Sequence, residues 1–132
     1  MTTSTKKVSL NAAMKLRDLG FNMTVGNYYE KTSHNDSFSR YELCKGRFCN
    51  DDEESGWAAP TLATTMDWLR ERKGVEIWIV PNNLCNIAKG YHWCAATRNT
   101  AECIGIRKSG DAATHPQAAE QAIEEVLSIL IQ

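Results

Sequence analysis

A chain of 132 residues with 42% hydrophobic and 23% charged side chains has enough apolar material for one core and lies outside the compositions of disordered and membrane proteins. Its 15 basic and 16 acidic side chains leave a formal net charge of -1, which provides no global field for nucleic acid or an anionic membrane. No apolar run approaches the roughly 20 residues needed to cross a bilayer, and the odd cysteine count of 5 is expected to represent reduced thiols of a cytoplasmic protein.

The polar N-terminus lacks a signal-peptide core, and residues 1–8 are expected to form a flexible arm ahead of a single domain over 9–132. Ser9 is placed to cap a first helix in which Leu10, Ala13, Met14 and Leu16 recur at helical spacing. Gly20 stops that helix and sets Phe21 against Leu16. Val25 to Lys31 and Phe38 to Leu43, rich in aromatic and β-forming residues, predict a hairpin closed by Ser33-His34-Asn35-Asp36. Between Cys44 and Gly56 the pattern weakens. Arg47-Phe48-Cys49 is compatible with a short extra strand, and Asn50 to Gly56 reads as an exposed acidic loop.

Pro60 suits the first turn of a second helix with Leu62, Thr65, Met66 and Leu69 on one face, ended by Gly74. Val75 to Val80 then predicts a strand with Val75, Ile77 and Ile79 on one side, closed by Pro81-Asn82-Asn83. Tyr91 to Thr97 and Ala101 to Arg107 predict two more strands joined at Arg98-Asn99-Thr100. A final helix follows from the capping-box spacing of Thr114 and Gln117, with Ala119, Ala122, Ile123, Val126, Leu127 and Leu130 as its apolar stripe and Glu120, Glu124 and Glu125 on its solvent side. The order α-β-β-α-β-β-β-α predicts an α+β two-layer sandwich, in which a largely antiparallel sheet of about five strands packs against three helices.

Ala58 to Ala63, Met66 to Glu71 and Lys73-Gly74-Val75, together with Ala13 to Phe21 and Ala118 to Ile123, resemble a group of small uncharacterised proteins. Their genes occur in bacteriophages and integrated mobile elements of gut bacteria. The resemblance does not extend over Thr32 to Trp57, and it implies a setting rather than an activity: an accessory protein that binds a host protein or a nucleotide signal.

No catalytic residues stand out, and no cofactor is expected. Cys44-x4-Cys49 and His92-x-Cys94 would make a zinc-compatible set, although the wide first spacing favours plain thiols at strand ends. A cysteine nucleophile beside His34, His92 or His115 is not selected by any local pattern. Arg107 and Lys108 precede the helix start at Thr114, where N–H groups and the helix dipole favour a phosphate. Asp51, Asp52, Glu53 and Glu54 form a solvated run or an acidic surface for a basic partner. Trp68 and Trp78 fall off the apolar stripes of their elements, so that either a wider core takes them in or they mark an interface. The expected function is a non-enzymatic binding module for a host protein or for itself, with a phosphorylated-ligand protein and a structural homo-oligomer as alternatives. Neither nucleic acid nor a membrane is an expected partner.

Overall fold

The computed structural model describes residues 6–31, 40–52, 55–81, 90–97 and 107–131. Its elements, in chain order, are α1 (Leu10–Asp18), β1 (Val25–Lys31), β2 (Tyr41–Phe48), β3 (Gly56–Ala58), α2 (Leu62–Lys73), β4 (Val75–Pro81), β5 (Tyr91–Thr97), β6 (Arg107–Ala112) and α3 (His115–Ile131). The fold is α+β, as expected. Its strands, however, form two antiparallel three-stranded sheets, β2-β1-β3 and β4-β5-β6, where a single sheet of about five strands was predicted. The additional strand is β3, whose three residues carry no readable period. It occupies the side of β1 opposite β2 through the pairs Tyr28–Ala58, Tyr29–Trp57 and Glu30–Gly56. The Phe48 segment is the end of β2, paired with Val25, and not a separate strand.

The helix ends obey local chemistry. Ser9 Oγ accepts from the Ala12 N–H at 3.1 Å, and at the other end of α1 the Gly20 and Phe21 N–H groups return to the Arg17 and Leu16 carbonyls at 3.0 and 2.9 Å. Leu16 and Phe21 are both fully buried. Thr61 caps α2, accepting from the Thr64 N–H at 3.1 Å, so Pro60 stands before the cap and not in the first turn. Gly74 ends α2 in the left-handed region at φ 68, a conformation costly for any residue with a Cβ, and the chain passes directly into β4. Thr114 Oγ1 accepts from the Gln117 N–H at 3.2 Å at the start of α3.

The core is assembled around α3. Its buried Ala118, Ala119, Ala122, Ile123, Val126 and Leu127 lie against the second sheet, and the helix also touches α1 and α2. Glu124 was expected to face solvent, but it accepts from Ser9 Oγ at 2.6 Å and from Asn11 Nδ2 at 3.2 Å, tying α1 to α3. Glu120 pairs with Lys6 at 2.8 Å. Residues 6–8, predicted as part of a free arm, are docked: Val8 is buried, its N–H donates to the Pro60 carbonyl at 3.0 Å, and its carbonyl accepts from the Tyr29 hydroxyl at 2.7 Å.

Asn50 departs furthest from its sequence reading. Predicted as the first residue of an exposed loop, it is buried, donates from Nδ2 to the Phe21 carbonyl at 3.0 Å and accepts at Oδ1 from the Ala58 N–H at 2.9 Å. Arg17 donates to the Asn50 and Gly56 carbonyls beside it. One side chain thus ties the end of α1 to β3. The predicted turns at 33–36 and 98–100, the strand segment 101–106, and Asn82 and Asn83 lie outside the described residues. Replacing Asn50 by Ala should cost about 2–4 kcal/mol in urea unfolding, because two buried backbone groups lose their partners, whereas Asp51→Ala in the adjacent exposed position should stay within ~0.5 kcal/mol.

Candidate interaction surface

Strand alternation gives the second sheet two different faces. Val75, Ile77 and Ile79 of β4 and Trp93 and Ala95 of β5 share the inner face, where Val75, Trp93 and Ala95 are buried and Ile77 and Ile79 pack against the core. Trp93 fixes this side: its Nε1 donates to Gln121 Oε1 of α3 at 3.1 Å, and its ring lies so close to Gly110 that a Cβ there would come within 2.7 Å of Nε1. Only glycine fits at position 110.

The outer face is built in cross-strand rows. Trp78, Cys94 and Ser109 form the central row, flanked by Val80, His92 and Asp111 on one side and by Glu76 and Ala96 on the other. On this face Trp78 is 48% exposed and Val80 45% exposed. A shallow open hollow of about 340 Å³ lies over Cys94 and Ala96 with Trp78 and Ser109 along its sides. Lys108 also lines it; at its two ends His92 Nδ1 and Asp111 Oδ1 are 3.1 Å apart, and Glu76 is 3.7 Å from Arg70 of α2. A second open groove of about 490 Å³ runs between β6 and α3. Of its three carboxylates, Glu120 is engaged with Lys6 and Glu124 with Ser9 and Asn11, and Glu125 is the third.

The other residues singled out from the sequence do not converge on this face. Trp68 is buried, 5% exposed, with its ring edge-on to Phe21 at 5.4 Å and Lys73 Nζ 5.5 Å from its centroid. The reason is that α2 is covered on two sides, by α3 and by the Phe21 end of α1, which widens its buried face beyond the Leu62 and Leu69 stripe. Arg107 and Lys108 belong to β6, which runs to Ala112, and not to a turn leading into α3. The anion site expected from those residues with Thr114 therefore loses the loop on which it was based. Asp51 and Asp52 are exposed in the turn after β2, in the first sheet, while Glu53 and Glu54 lie outside the described residues.

Cys44 and Cys49 belong to the first sheet and the turn that follows it, His92 and Cys94 to the second. Among the described residues no group of three or more His, Cys, Asp or Glu side chains is placed to hold a metal ion. Cys49 Sγ donates to the Asn22 carbonyl at 3.2 Å. Cys44 sits beside Glu30 and Glu42, and desolvation followed by the two carboxylates pushes its thiol pKa up, away from the low value a nucleophilic cysteine requires. Sequence reasoning missed Glu76, Val80, Ala96, Ser109 and Asp111 of the outer face; a period-two count carried through β4 would have found Val80, whereas Ser109 and Asp111 needed the register of β6.

No protein-family model matches the chain, and neither does any curated protein or solved structure.

Because both carboxylates disfavour the thiolate, alkylation of Cys44 by iodoacetamide, mapped by mass spectrometry, should reach half its limiting rate at a pH above that of an ordinary thiol. Glu30→Gln should move that midpoint down; reaction of Cys44 at or below the ordinary thiol pH would contradict the described surroundings.

Proposed function

We propose that this chain is a small non-enzymatic binding module, an accessory protein of a phage or integrated mobile element, that engages a host protein through the outer face of the second sheet. The observation that carries this reading is Trp78, held nearly half exposed at the β4 end of the central row of the outer face, with Val80 beside it on the same strand. A tryptophan left in water forgoes a large burial gain, and at protein interfaces tryptophan is among the residues that carry most of the binding energy. The rows around it suit a protein surface: small side chains at Cys94, Ala96 and Ser109 leave its ring standing proud, Glu76 already has an ion-pair partner in Arg70, and the Asp111 carboxylate lies within hydrogen-bond distance of His92.

The two tryptophans separate folding from binding. Trp68→Ala should cost about 3–5 kcal/mol of stability, as expected for a buried aromatic, while Trp78→Ala should stay within ~0.5 kcal/mol of wild type. Panning a displayed peptide library against the immobilised chain should enrich binders whose affinity falls at least about tenfold on Trp78→Ala and is unchanged on Lys45→Ala in the first sheet. Binders indifferent to Trp78, or none at all, would remove the basis of the proposal.

A further inference from the structure

The four strand edges of the two sheets are not alike. β2 carries Glu42, Lys45 and Arg47, and its ladder with β1 is interrupted by an irregularity between Val25 and Asn27. β3 is 3 residues long. β6 has the sequence Arg-Lys-Ser-Gly-Asp-Ala, without a large apolar side chain. Charge, irregular pairing and shortness are the devices that keep an edge from pairing with another chain.

β4 lacks them over its central residues. It pairs with β5 in continuous register from Val75 to Pro81, and it is apolar on both faces, with Ile77 and Ile79 on one and Trp78 and Val80 on the other. Apolar residues on both faces mark a strand from the interior of a covered sheet. Yet among the described residues no strand lies along its other side.

We propose that β4 pairs with β4 of a second copy, antiparallel about a two-fold axis at Trp78, to make a continuous six-stranded sheet. The strand is self-complementary about that point. Trp78 meets Trp78, Ile77 of each copy faces Ile79 of the other, and Glu76 faces Val80, so no like charges are opposed and Glu76 keeps its ion pair with Arg70. Area points the same way. Two strands of 7 residues and one of 6, about 4.8 Å apart, present a face of roughly 300 Å², well below the ~800 Å² that each side of a stable interface buries. Pairing doubles the outer face and sets two tryptophans side by side on it, bringing the footprint near that size. The ladder itself is a small contact, so the dimer forms in a concentration-dependent, micromolar-or-weaker regime.

The area argument rests on the proposed binding face, whereas the self-complementary edge does not: a monomer would leave the outer face available to another protein, and loss of partner binding would leave the edge intact. Sedimentation equilibrium across a concentration series should show a dimer growing with concentration. Trp78→Lys and Trp78→Glu should each be monomeric, with the melting temperature that wild type shows at concentrations too low for it to dimerise, and an equimolar mixture of the two should restore a dimer. Amide exchange within Val75 to Val80 should slow as the dimer forms. A monomer at the highest soluble concentration, a dimer insensitive to both variants, or a dimer whose β4 amides gain no protection, as face-to-face packing would produce, overturns the proposal.

Discussion

The structure depends on the way α3 lies along the inner face of the β4-β5-β6 sheet. Ala118, Ala119, Ala122, Ile123, Val126 and Leu127 are buried where the helix meets the sheet and the other two helices, the alanines permitting close approach and the larger side chains filling space. Burying such side chains is worth roughly 1.5–3 kcal/mol each relative to exposure, more than any single polar contact in the molecule provides. The placement is also directional. Trp93 hydrogen-bonds Gln121 and needs the missing side chain of Gly110, so helix, central strand and edge strand are locked in one register.

The position of the candidate surface follows from that contact. One helix covers one face of a small sheet, α1 and α2 lean on the same helix, and the apolar run of β4 therefore has a partner for only half of its side chains. The exposure of Trp78 reflects a mismatch between a strand suited to burial on both sides and an architecture that supplies one cover. Trp68, equally off its expected stripe, has a cover because Phe21 and α3 meet around α2.

The first sheet reaches the core differently. Its strands are more polar, and its attachment relies on directed bonds: Asn50 to Phe21 and Ala58, Tyr29 to Val8, and Arg17 to the Gly56 and Asn50 carbonyls. The Tyr29 phenol is held in its neutral, donating form, since burial and then Glu120 push its pKa up. Hydrogen bonds of this kind contribute little net energy when satisfied but are costly to break when buried, so they specify the docking angle of the sheet more than they drive it.

The sequence by itself determined the local features: the caps at Ser9 and Thr114, the stop at Gly74, the bounds of β1 and β5, the start of β4, and the apolar stripe of α3, because each is set by residues within a few positions of one another. Tertiary structure decided the rest. Which strands share a sheet, that Asn50 belongs inside, that Glu124 joins α1 to α3, and that Arg107 and Lys108 continue a strand all depend on groups far apart in the chain. The two tryptophans show the division most clearly. Both were legible as misfits to a local period, but burial depends on what other elements bring to the site, and only the folded chain placed Phe21 against Trp68 while leaving Trp78 with water on one side.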